Sequence, residues 1–124
     1  MADSDVPALS IGSSCVGDVL VLAVSGDIDT LTAPFLVEAL EHAVTGKPAA
    51  LVIDLTEVHF LATPGMTALV QAEQKATGAS IRMAVVADGP TTSRPLKMMG
   101  LDQTLGLQPS LADALARFAD PTVG

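Results

Sequence analysis

At 124 residues and 49% hydrophobic composition, the chain has the size and apolar content of one domain with its own core. Fourteen acidic against six basic side chains leave a formal charge of -8, which argues against nucleic acid and anionic membrane as partners, since both need a cationic face. Three Phe with no Tyr or Trp leave almost no platform for stacking bases or sugars, and the aliphatic neighbours of Phe35, Phe60 and Phe118 assign all three to the core.

Residues 1–8 read as a loose polar lead-in, 9–118 as the domain and 119–124 as a tail. The first residues are acidic where a signal peptide would be basic, and the apolar stretch Val19 to Val24 is far short of the roughly 20 residues of a membrane helix. A lone Cys15 offers no internal disulfide, so the cytoplasm is the expected compartment. Leu9 to Ile11 and Val19 to Ser25 flank a Gly-containing loop that carries Cys15 and read as a hairpin. Gly26-Asp27-Ile28-Asp29 breaks the second strand, and Thr32-Ala33-Pro34 opens a helix with Thr32 as N-cap. Phe35, Leu36, Ala39, Leu40 and Ala43 supply its apolar face, and Gly46 its stop.

Ala49 to Leu55 is a short apolar run, as expected of a strand covered on both faces. Thr56 to Leu61 reads as the loop leading to a second helix, which starts at Thr63-Pro64-Gly65 and carries Met66, Leu69, Val70, Ala72 and Ala76 as far as Gly78. Ile81 to Ala87 is the next buried strand. Thr91 to Met99 is a short helix closed by Gly100, whose regular part starts late because of Pro95. A brief strand at Leu105 to Leu107 precedes a last helix, opened by the capping pair Ser110 and Asp113. A hairpin followed by alternating helices and strands predicts an α/β fold: a mixed, mostly parallel sheet with four flanking helices.

Catalytic chemistry finds little foothold. His42 and His59 lack a spaced His or Cys partner, so metal ligation is not expected. Ser13 and Ser14 lack a nucleophile-elbow context. Asp27, Asp29 and Asp54 follow strands, where acidic residues commonly serve turns and caps. No phosphate-binding glycine motif is present, no cofactor is implied, and a compact acidic domain of this kind points to protein recognition.

The segment from Leu51 to Leu69, LVIDLTEVHFLATPGMTAL, closely resembles the signature of STAS domains, in particular bacterial anti-sigma-factor antagonists of the SpoIIAA type. Gly26-Asp27-Ile28-Asp29, Pro95 to Asp102 and Ser110 to Leu115 resemble further family segments in the same order, so the likeness covers about residues 9–118. It implies the STAS fold and a partner-switching role. Such an antagonist binds an anti-sigma factor, usually a small serine kinase, frees a sigma factor, and acts as a monomer or weak homodimer without enzymatic chemistry. The partner surface it implies comprises Asp27, Asp29 and Thr30, the helix start at Thr63, Gly65, Met66 and Thr67, and Ser93 with Arg94 in the Thr91 to Arg94 segment. Family members carry a phospho-acceptor hydroxyl just before the glycine. Here that position is Pro64, the family's Asp falls on Ala62, and only Thr63 keeps a hydroxyl. Thr63 is the remaining phospho-acceptor candidate but reads first as the N-cap, and the departures at Ala62 and Pro64 imply an antagonist that is constitutive or controlled elsewhere, for example through Ser93 or a partner protein. The other reading is a STAS scaffold or ligand-sensing subunit, which should enclose an apolar pocket.

Overall fold

A computed structural model describes residues 9–119. The elements follow in chain order: β1 (Leu9–Val16), β2 (Val19–Ile28), α1 (Ala33–Thr45), β3 (Ala50–Leu61), α2 (Thr63–Gly78), β4 (Arg82–Val86), α3 (Ser93–Met98), β5 (Leu107–Gln108) and α4 (Leu111–Ala119). The five strands form one sheet in sequential order, β1 antiparallel to β2 and every other pair parallel. This is the mixed sheet with an N-terminal hairpin and four helices that the alternating apolar runs predict. The lead-in and most of the tail lie outside the described residues.

Alternation along the strands sorts side chains between two cores. Leu22, Ile53 and Val85 are neighbours across the sheet and belong to the larger core, with Leu36 and Leu40 of α1, Leu69 and Ala72 of α2 and Leu96 of α3. One residue earlier on each strand, Val21, Val52 and Ala84 face the other way, into a smaller core closed by Ala114 of α4. Leu36, Leu51, Ile53, Leu55 and Leu69 are fully buried, so truncating any one to Ala would cost about 2–5 kcal/mol.

Four elements differ from the sequence reading, β2 among them, since it runs past the break expected at Gly26. β3 runs on to Leu61, where a loop was expected, because β2 runs on beside it to Ile28, through Gly26 at φ 106. Two register shifts between these strands break the simple alternation, turning Val58 and Leu61 into the core and His59 and Phe60 out. The hairpin strand β1 extends to Val16, so Cys15 is a strand residue rather than part of a loop. The short strand before the last helix falls at Leu107–Gln108.

The core assignment of the aromatics also needs correction. Phe35 is 62% and Phe60 52% exposed, while Phe118 is half-buried against the smaller core. On α1 the buried stripe is Ala33, Leu36, Leu40 and Ala43, and at 100° per residue Phe35 lies well outside it. Gly46 does cap α1, but in right-handed conformation. The left-handed residue that turns the chain is Lys47, at φ 52.

Candidate functional site: the C-terminal ends of the strands

Three segments meet where β2, β3 and β4 end: the Asp27 to Thr30 loop, the start of α2, and the Thr91 to Arg94 segment. The first two are joined directly. Ile28 pairs with Leu61 at the end of the parallel ladder, and the Ala62 N–H donates to the Ile28 carbonyl at 2.8 Å. Gly65 then lets the first turn of α2 press against β2, since a Cβ there would overlap Ile28 Cγ2 and stand 2.8 Å from Leu61 Cδ1. Glycine is required here for space. The third segment is held by backbone, the Arg94 N–H donating to Gly89, and by a long 3.5 Å bond from the Thr91 hydroxyl to the Val58 carbonyl.

The Asp27 to Thr30 loop is shaped by its own side chains. Asp29 Oδ1 accepts the backbone N–H groups of Leu31 and Thr32, each at 3.0 Å, an Asx turn feeding into α1. Thr32 holds the N-cap position, but its hydroxyl does not cap the helix. It accepts the Asp29 N–H at 2.9 Å and donates to the Asp27 carbonyl at 2.8 Å, tying the loop back on itself. These bonds, the Thr32 backbone N–H foremost, hold the Asp29 carboxyl below the usual carboxylate range against the opposing effect of partial burial.

The expected site residues separate by exposure. Asp27, Thr30, Thr63, Thr67 and Arg94 face solvent, and Asp29 is half-buried. Gly65, Met66 and Ser93 are buried, Met66 within the larger core and Ser93 at 6% exposure. Thr63 is not the N-cap of α2. That position belongs to Ala62, in extended conformation, and Thr63 is the first helical residue with Pro64 behind it. Among the described residues the Thr63 hydroxyl makes no hydrogen bond, because a side chain already inside the helix points away from the N–H groups that a cap would reach.

Sequence reasoning missed the apolar part of this surface. Leu31, 81% exposed, follows Thr30 directly. Phe35 stands on the first turn of α1, and Phe60 pairs with Asp27. The signal for Phe35 lay in the spacing of Leu36, Leu40 and Ala43, which leaves it no place on the buried face. Phe60 gave no such signal, since its orientation depends on the register shift.

Among the described residues no group of three or more His, Cys, Asp or Glu could hold a metal, and no helix is long and apolar enough to cross a membrane. An apolar cavity of about 480 Å³ between the hairpin and α1 opens to solvent. The arrangement places an acidic loop, a helix start and exposed apolar side chains on one end of the sheet.

Residues 12–114 match the STAS domain family. The chain belongs to the STAS domain family. Within it, a 97-residue stretch, 78% of this chain and 79% of the relative, is 45% identical to the anti-sigma-F factor antagonist RsfB of Mycobacterium tuberculosis. The crystal structure of an anti-sigma factor antagonist from Mycobacterium paratuberculosis superimposes with a TM-score of 0.82 at 40% identity, covering 88% of this chain and 92% of that one. Unphosphorylated SpoIIAA superimposes with a TM-score of 0.74 over 88% of this chain and 96% of its own, at 12% identity, and so shares the STAS fold.

Proposed function

We propose that this STAS domain is an anti-sigma-factor antagonist: it binds an anti-sigma factor, releases the sigma factor held by it, and so regulates transcription in the cytoplasm without doing chemistry itself. The observation that carries this reading is the joining of the Asp27 to Thr30 loop to the start of α2 by the Ala62 to Ile28 hydrogen bond and the Gly65 contact, in a chain 45% identical to an anti-sigma-F factor antagonist. Asp27, Thr30, Thr63, Thr67 and Arg94 would meet the partner directly. Asp29, Gly65, Met66 and Ser93 would shape the surface from beneath, and Leu31, Phe35 and Phe60 would supply the apolar contact area that usually carries most of an interface's affinity.

Control by phosphate at the residue before the glycine has no acceptor here, because Pro64 has no hydroxyl. Thr63 is exposed and its hydroxyl is free, so burial does not protect it. We hold the complex to be constitutive on the strength of Pro64, which restricts the backbone next to Thr63 in a kinase active site. Ser93 is buried and would have to leave its seat to be modified.

One experiment tests both parts. The protein is titrated into its purified anti-sigma partner with ATP present, and the retained complex and the intact mass are read together. A stable complex of unmodified protein is expected, with Asp27→Lys and Thr67→Glu weakening it at least tenfold and Glu73→Lys, on the far part of α2, leaving it unchanged. A gain of one phosphate at Thr63 with release of the partner would overturn the constitutive reading. Full binding by both site variants would move the interface elsewhere.

A further inference from the structure

The two edges of the sheet are unequal. β5 ends one side with two residues, too short to template another strand, whereas β1 ends the other with eight. Among the described residues nothing pairs with the outer side of β1. Its register with β2 is continuous from Leu9 opposite Gly26 to Val16 opposite Val19, with no bulge. The strand LSIGSSCV contains no Pro and no charged residue, so it lacks the devices by which exposed edges are usually blunted.

The hairpin turn determines which backbone groups are free. Gly17 and Asp18 form a two-residue loop, with Gly17 at φ 61, as a type II′ turn requires. The residues flanking such a loop exchange both hydrogen bonds, and bonded pairs then alternate with non-bonded ones. Val16, Ser14, Gly12 and Ser10 therefore bond to β2. The N–H and carbonyl groups of Cys15, Ser13, Ile11 and Leu9 point outward.

We propose that β1 is a self-association edge, pairing antiparallel with β1 of a second copy about a two-fold axis at Gly12. In this register Leu9 stands opposite Cys15, Ile11 opposite Ser13 and Gly12 opposite its own counterpart. All four outward-facing residues of each copy are then hydrogen-bonded, and centring the pairing on Ile11 or Ser13 would leave some of them unpaired. A second copy supplies a strand of matching length with no Pro to interrupt the pairing and no charge to desolvate. The side chains of Leu9 and Ile11 of the second copy arrive on the α1 side of the sheet, beside the apolar cavity of about 480 Å³ lined by Ile11, Cys15, Leu20, Ala39, Ala43 and Pro48. A single strand pair with this packing buries no more than about 1,200 Å² in total, so the dimer is weak and depends on concentration. Two copies of formal charge -8 repel each other, but the strand itself is neutral, and salt therefore strengthens the pairing.

Sedimentation equilibrium over a concentration series tests this. The average mass of the full chain should rise from 12.6 kDa towards twice that value. Ser13→Pro removes an N–H that faces outward, a change tolerated on an edge strand, and should hold the protein at the monomer mass with its fold intact. Cross-linking gives a second measurement that does not depend on that variant folding. With Cys15→Ser as background, Gly12→Cys places two thiols on the axis in a non-bonded pair, about 4.5 Å apart at Cα, and a Cβ at Gly12 meets nothing within 4 Å. Mild oxidation should convert most of it to a disulfide dimer, while Ser14→Cys in the same background, two residues off the axis and opposite Ser10 of the second copy, should form little disulfide. A wild-type protein that remains monomeric throughout overturns the proposal, even if this edge captures the strand of another protein. Equal cross-linking of the two cysteine variants, or dimers that survive Ser13→Pro, overturns it as well.

Discussion

Asp29 shows how one carboxylate shapes the candidate site. Its Oδ1 accepts two backbone N–H groups at the entry to α1, so the residue serves the loop more than a partner. Reversing its charge would dismantle the loop, which is why Asp27 is the better probe of binding. Because its folded pKa is depressed, Asp29 stabilises the fold fully above the ordinary carboxylate value of about 3.9, and this contribution is lost as pH falls through the lower folded value. Asp29→Asn keeps an oxygen for the same N–H groups but has no charge to lose. Urea unfolding of both proteins across a pH series should show wild type the more stable at pH 5 and above, with the gap closing as the pH approaches 2. A gap that does not change with pH would mean that only shape matters at this position.

At the scale of elements, the contact between α2 and β2 depends on Gly65. Gly65→Ala puts a methyl group into Ile28 Cγ2, and either the side chain or the helix start must move, at a cost of about 1–3 kcal/mol. Ile28 is fully buried, and Ile28→Ala alone should cost about 2–5 kcal/mol through the cavity it leaves. In the double variant the new methyl occupies part of that cavity, so the combined loss should fall short of the sum by about 1 kcal/mol or more in denaturant unfolding. Strict additivity would show that the two residues do not share space. The start of α2 was legible in the sequence because Pro and Gly at its first turn are strong local signals, and Ala49 to Leu55 was legible because a run of apolar residues needs no partner to be recognised. The extension of β3 to Leu61 was not, since it exists only through pairing with β2. The surface suffered likewise: exposure of Phe60 and burial of Met66 follow from a register shift and from how closely α2 sits, neither of which is a property of local sequence. The cap assigned to Thr63 failed by one residue, because Ala62 has no hydrogen-bonding side chain to advertise the helix boundary.

For the molecule as a whole, charge acts on its two kinds of association in opposite directions. A formal charge of -8 spread over a small domain attracts a cationic partner from a distance, while apolar groups such as Leu31 and Phe60 act only on contact. Salt screens the first and leaves the second nearly unchanged, with a Debye length that falls from about 10 Å at 0.1 M to about 3 Å at 1 M. Raising salt from 0.05 to 0.5 M should therefore slow association with the anti-sigma partner by roughly tenfold, with little change in the dissociation rate. Self-association through β1 brings like-charged bodies together, so the same salt step should lower its dissociation constant. Stopped-flow mixing gives the first quantity and sedimentation the second. An association rate that is flat or rises with salt would mean that the partner presents no cationic field, leaving the apolar side chains at the strand ends to carry recognition alone.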